Sequence, residues 1–236
     1  MKKRVSQLVK NVARRMYSFV TWDQWCYRSW SQEGEDLVLR KIFEQHQTGF
    51  YVDVGAHHPR RYSNTQFFYR RGWHGINIDA MPGSMEIFSK MRPRDLNIEV
   101  GIGQEEGKLE YYIFNEPALN SFSKDLSKDR HEAQTNKRIK DVVEVNVKPL
   151  SCVFDQHLPK DQSIDFISID VEGMDFDVLK SNDWSKYRPA YVLVEVLRSS
   201  LHEIESTQIG ELMKSVGYVI FAKCANTVFF KDLNQQ

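Results

Sequence analysis

The chain lacks several features, and each absence narrows the reading. Nowhere do about 18 apolar residues follow one another, so no membrane-spanning helix is expected. Cysteine is scarce, three in 236 residues, and Cys26, Cys152 and Cys224 stand far apart. They form no CxxC pair and no zinc-ligand spacing, so free thiols in a reducing, cytoplasmic compartment are expected. Charge of one sign is not in surplus: 32 basic and 32 acidic residues leave a formal net charge of zero. That gives no global support to a nucleic-acid partner. The GxGxxG fingerprint is missing, which counts against bound NAD and against an oxidoreductase. No internal repeat and no low-complexity tract is seen.

The length suits one domain with a full core, or one domain plus a small appendage. The first twenty residues differ from the rest. They carry Lys2, Lys3, Arg4, Lys10, Arg14 and Arg15 and no acid, with Val5, Leu8, Val9, Val12, Met16 and Phe19 at helical spacing. A secretory signal would need an unbroken apolar core, and Lys10, Asn11, Arg14 and Arg15 interrupt it. Two readings stay open. One is a basic amphipathic helix lying on the inner membrane face. The other, which asks for less, is a helix packed on the domain or on a second subunit, as in a homo-oligomer. Residues 1–30 are therefore read as an arm and 31–236 as the main domain, with the aromatic segment up to Trp30 expected to pack.

From Ser31 onward the pattern alternates. "SQEGEDLVLRKIFEQ" reads as a helix capped by Ser31, with Glu33 and Glu35 at the positive end of its dipole. Leu37, Val38, Ile42 and Phe43 supply its apolar stripe. "FYVDVGA", "HGINIDA", "LNIEVGIG", "IDFISID" and "AYVLVEV" read as strands. "SNTQFFYRRG", "PGSMEIFSKM", "DFDVLKSND" and "TQIGELMKSVG" read as helices between and after them. "KLEYYIF" extends or follows the third strand. "YVIFAKCANTVFFKD" reads as a closing hairpin. This order predicts an α/β fold, a mostly parallel sheet with helices on both faces and one antiparallel strand at its end. The polar stretch from Asn120 to Val142 is either a mobile lid over a site or a solvated helix with loops.

In such sheets ligands bind beyond the carboxyl ends of the strands. Acids stand at every one of these ends: Asp53, Asp79, Glu99, then Asp170 with Glu172, then Glu195. A purely structural sheet has no need of that concentration. Gly55 is expected to let the backbone approach a ligand, with Asp53 facing that ligand or holding the turn. Asp79, at the second strand end, is placed to accept hydrogen bonds from both hydroxyls of a ribose. An anionic first turn suits an amine-bearing ligand better than a diphosphate. Together these features point to S-adenosylmethionine.

Four segments, "SQEGEDLVL", "YVDVGAHHP", "SNTQFFYRRGWHGINIDAMPGSMEIF" and "ISIDVEGMDFDVLKSNDW", in this order, resemble the FkbM-type methyltransferases. The resemblance spans about Ser31 to Val196. It implies a class I, Rossmann-like sheet of seven strands, S-adenosylmethionine as methyl donor and, commonly, a sugar hydroxyl as acceptor, in polysaccharide or glycosylated natural-product pathways. Carried onto this chain, Asp53, Gly55 and Ala56 match the first cofactor motif, with Asn64 in the segment that follows. Asp79 matches the ribose-binding acid, with Ala80 and Met81 beside the adenine and Gly101 on the next strand. Gln32 and Glu35 would close over the methionine end. Asp170, Glu172 and Gly173 match the segment facing both cofactor and acceptor.

A sugar hydroxyl is a weak nucleophile and benefits from a general base. Asp170 and Glu172 are the first candidates, and His57 and His58 the second. A magnesium ion held by Asp170, Glu172 and Glu195 is a further option. Methylation of a nitrogen or carboxyl group of another small metabolite, or a non-catalytic binding protein on this fold, would leave the same cofactor half.

Overall fold

The computed structural model describes residues 26–133, 136–197 and 199–234. The basic arm, with its membrane and subunit readings, lies outside them. Helix α1 (Glu35–Ile42) leads into β1 (Phe50–Val54), α2 (Gln66–Arg70), β2 (His74–Asp79), α3 (Met85–Met91) and β3 (Leu96–Glu99). Then come β4 (Gly101–Ile102), β5 (Gly107–Phe114), α4 (Lys124–Ala133), β6 (Ile139–Lys148) and α5 (Leu150–His157). The order closes with β7 (Phe166–Ile169), α6 (Asp175–Lys180), β8 (Tyr191–Glu195), α7 (Leu201–Ile204), α8 (Gln208–Ser215), β9 (Tyr218–Cys224) and β10 (Thr227–Asp232).

Seven strands form one sheet in the order β3-β2-β1-β7-β8-β10-β9. The pairs from β3 through β8 are parallel, and β10 runs antiparallel to both neighbours. This is the sheet the alternation predicts. Side chains alternate across it with period two. Val52, Val54, Ile167, Ile169, Val192 and Val194 enter one core with Phe154 of α5, Leu179 of α6 and Met213 of α8. Tyr51, Phe166, Leu193 and Phe229 enter the other, against Leu39 of α1, Phe43, Phe68 of α2 and Trp73. Each such fully buried side chain contributes about 1.5–3 kcal/mol. The two layers fix the strand ends relative to one another, and the site is built on those ends.

One row of the sheet breaks the apolar rule. Asn97, Asn77, Asp53 and Ser168 are in register across β3, β2, β1 and β7. Buried polar groups need partners, and Arg92, fully buried after α3, supplies them. Its guanidinium donates to Thr65 Oγ1 at 2.6 Å and Ser63 Oγ at 2.8 Å. Thr65 in turn donates to Asp53 at 2.9 Å. Asp95 accepts from Tyr51 Oη at 2.6 Å and from Asn77 at 3.0 Å.

Several local expectations are corrected. Helix α1 starts at Glu35, behind Gly34 in the left-handed region (φ 92°), not at Ser31. Ser31 instead exchanges hydrogen bonds with Asp36, and Glu33 binds the backbone N–H of Asn226 at 2.7 Å. Leu37 is exposed, and Leu39 takes its place in the core. Pro82 lies in the turn ahead of α3 rather than in the helix. The third strand divides: Val100 donates to the Asp79 carbonyl at 3.0 Å, and β4 beyond it joins β5 and β6 in a second, three-stranded sheet. The aromatic segment packs at Trp30, whose ring meets Phe67 at 6.4 Å, whereas Tyr27 is exposed.

Candidate active site

The strand order reverses between β1 and β7, the place where open α/β sheets bind ligands. A cleft opens there. Its floor is made by Val54, Gly55, Ile78, Asp79, Asp170 and Val171. Gln32, His57 and Tyr62 form one wall, and Met81, Gly101 and Tyr111 another. Pro117, Asn120 and Phe122 lean over it, and Ala80 and Glu172 also line it.

Asp79 sits at the base of the cleft, buried and held by two backbone donors. Oδ1 accepts from Met81 N–H and Oδ2 from His57 N–H, each at 2.8 Å. Burial raises its pKa, and those two backbone bonds oppose the rise. The Ser84 hydroxyl also favours the charged form, and the fixed carboxylate faces the cleft with acceptor capacity left for a ligand.

Gly55 lines the cleft and has a reason within the chain as well. Its φ is +81°, and a Cβ there would stand 1.8 Å from the Asp170 carbonyl oxygen. The glycine lets β1 and β7 end side by side, so the close approach is chain to chain. Asp53 faces away from the cleft, into the Thr65–Arg92 network; burial pushes its pKa up to about 6 despite Arg92. Ala56 is packed with Met85 and Phe88. Asn64 donates to Ser168 Oγ at 2.9 Å, and Glu35 accepts from Glu33 N–H and Thr227 Oγ1. Asp53, Ala56, Asn64 and Glu35 thus brace the site from behind, and none of them lines the cleft.

Ile169 pairs with Val194, so the next residues, Asp170 and Glu195, stand side by side at the ends of β7 and β8. Asp170 is open to the cleft yet enclosed by it. Burial, then the charges of Glu195 and Glu172, hold its pKa well above the usual carboxylate range. Burial and the nearby Glu172 and Asp175 push Glu195 up to about 8. Glu172 (φ 53°) and Gly173 (φ 99°) make a left-handed turn. Asp175 holds that turn, accepting from Val171 N–H and Gly173 N–H at 3.2 Å each. The Glu172 carboxylate is ion-paired with Arg130 of α4. Among the described residues, no group of three or more His, Cys, Asp or Glu side chains is placed to hold a metal ion, so the magnesium set does not assemble.

The two histidines part ways. His57 lines the cleft with Nε2 buried and unpartnered, and burial, then Arg61, lowers its pKa. His58 Nδ1 accepts the N–H groups of Arg60 and Arg61 at 3.0 Å, a loop role outside the cleft. Residues unforeseen from sequence complete the roof. Phe122 meets Tyr111 at 4.7 Å, and a Cβ on Gly101 would strike the Phe122 ring. Asn120 fixes its amide by accepting from Phe114 N–H at 2.8 Å. Phe122 is the lone aromatic in the polar stretch, the one signal that could have marked it.

A fixed carboxylate at the second strand end, a free imidazole nitrogen and aromatic walls fit a cationic adenosine derivative. Comparison with curated proteins finds no match. Among solved structures, a TehB-like SAM-dependent methyltransferase from Corynebacterium glutamicum matches at 12% identity and a TM-score of 0.39, covering 94% of this chain and 97% of that one. A 1,6-didemethyltoxoflavin-N1-methyltransferase from Burkholderia thailandensis, with bound 1,6-didemethyltoxoflavin and S-adenosylhomocysteine, matches at 10% identity and 0.40, covering 98% and 88%. The model of the methyltransferase FkbM domain matches residues 53–220, from the end of β1 into β9. That span is well over half the chain, and with it the chain belongs to the FkbM methyltransferase family.

Proposed function

We propose that this methyltransferase moves a methyl group from S-adenosylmethionine to a sugar hydroxyl, in the building of a polysaccharide or glycoconjugate. The observation that carries the reading is the Asp79 carboxylate, buried at the end of β2, one strand from the switch point, and aimed by two backbone N–H groups. Its remaining lone pairs suit the two hydroxyls of a ribose. The donor supplies an electrophilic methyl group on a sulfonium centre. Asp170, beside it at the end of β7, takes the proton from the acceptor hydroxyl. A carboxylate whose pKa lies above its usual range is the stronger base. Tyr111 and Phe122 exclude water from the cleft. The sugar is the acceptor that the resemblance of the four segments implies. Free thiols at Cys152 and Cys224 accord with a cytoplasmic site of action.

Calorimetric titration with S-adenosylhomocysteine tests the donor half. Wild type should bind, and Asp79→Ala should bind at least about tenfold more weakly, the value of one or two lost charged hydrogen bonds. Wild type that fails to bind, after removal of any cofactor carried through purification, overturns the reading. A panel of sugars, amines and carboxylic acids then tests the acceptor half. Turnover confined to amines or carboxylic acids refutes the sugar hydroxyl.

A further inference from the structure

A second cavity lies on the other side of the loop that carries His57 and Tyr62. Arg28, Arg60, Arg70 and Arg94 come from four separate places in the sequence, and the fold brings all of them to its lining. The cavity is larger than a bound water needs, about 510 Å³, and among the described residues that line it none is acidic. In a chain with equal numbers of acids and bases, solvated arginines would be interspersed with carboxylates. Arg60, Arg70 and Arg94 make no ion pair among the described residues. Two of these guanidiniums are also pre-placed: Arg94 lies 4.0 Å over the Tyr69 ring and Arg70 5.4 Å over Trp30. Stacking of this kind lowers the entropy lost when a planar guanidinium forms paired bonds to phosphate oxygens.

We propose that this arginine cleft binds a diphosphate group. Several converging guanidiniums exceed what one monovalent anion would neutralise, and phosphate matches their forked donors. The ligand is an inorganic, nucleotide-borne or lipid-borne diphosphate, all of which share that chemistry. The cleft is separate from the Asp79 site, and its occupancy does not depend on the methyl-transfer reading. It is mechanically joined to that site nonetheless. Arg60 belongs to the loop whose opposite face lines the methyl-transfer cleft, and buried Arg92 anchors the loop through the Pro59 carbonyl.

The test is calorimetric titration of the full chain with inorganic pyrophosphate at fixed ionic strength. Wild type should bind saturably, and the double variant Arg70→Gln, Arg94→Gln should lose about tenfold or more in affinity, equivalent to 1.4 kcal/mol. Its affinity for S-adenosylhomocysteine should stay unchanged, which separates this site from the methyl-transfer cleft. Should the double variant not fold, the exposed loop variant Arg60→Gln is measured in its place, with a loss of about threefold or more expected. Competition by a nucleoside diphosphate identifies a soluble source. Cosedimentation with vesicles bearing a lipid diphosphate, lost on adding pyrophosphate, identifies a membrane source. Absence of saturable pyrophosphate binding by wild type, or equal affinity in wild type and folded variant, overturns the proposal.

Discussion

Asp79 Oδ2 accepts the backbone N–H of His57 at 2.8 Å, so the acid ending β2 fixes the loop leaving β1. One side chain thereby holds two walls of the cleft and presents its free lone pairs between them. Asp79→Asn keeps an acceptor for Met81 N–H but turns an amide donor toward His57 N–H. Two facing donors cannot bond, and the loop loses its anchor. Affinity for S-adenosylhomocysteine should fall about 10- to 100-fold, the cost of one buried unmet donor. Calorimetry on the folded variant measures it, and wild-type affinity would remove Asp79 from the donor site.

The charge of Glu195 acts on Asp170 at the adjacent strand end. A base with a raised pKa gives activity that climbs with pH as the group loses its proton. The acid limb of kcat/KM should therefore lie above the ordinary carboxylate range, in macroscopic steps belonging to the pair. Glu195→Gln removes a negative neighbour, lowers the Asp170 pKa and moves that limb to lower pH. Asp170→Asn should cost about 10²–10⁴ in kcat. A limb that stays in place in Glu195→Gln contradicts the coupling.

The parallel sheet was legible because its buried strands carry near-continuous apolar runs, and Asp79 because an acid at the second strand end faces ligand space. Asp53 was misread for a physical reason. A carboxylate inside a buried strand looks the same whether its partner is a ligand or a buried arginine, and Arg92 comes from beyond α3. Strand β6 was hidden because its outer half is charged, "KDVVEVNVK", and its start falls in a stretch dominated by solvated residues. Helix α5 lies in a short apolar run that fits helix or strand. The roof of the cleft depends on contacts between the second sheet and the segment ahead of α4, Tyr111 with Phe122 and Phe114 with Asn120, which no local pattern encodes.

Helix α4 is latched to the left-handed turn after β7. Arg130 pairs with Glu172, Ser121 Oγ donates to the Glu172 carbonyl at 2.6 Å, and Leu126 packs at Gly173. Both charged side chains of the latch are less than one-fifth exposed. Arg130→Ala should loosen α4 by about 1.5–3 kcal/mol, the scale of a hydrogen bond to a charged group. Amide exchange should quicken in α4 while β1 and β7 keep their protection. Uniform protection across α4 in the variant would show that the latch holds nothing.

The buried row around Asp53 makes a pH-dependent contribution to stability. Burial lifts its pKa from 3.8 to about 6 in the folded chain, against the opposing pull of Arg92 and Thr65. The folded state thus binds this proton more tightly than the unfolded state. Its contribution to stability is fully present below pH 3.8 and is lost as the pH rises through about 6. The difference amounts to about 3 kcal/mol across that window. Asp53→Asn keeps an oxygen to accept from Thr65 Oγ1 and has no proton to lose. Its urea midpoint should therefore fall less than the wild-type midpoint between pH 4 and 6, with the two curves diverging as Asp53 ionises. Parallel midpoint curves over that window would mean that Arg92 compensates the charge fully and that Asp53 is ionised at no cost.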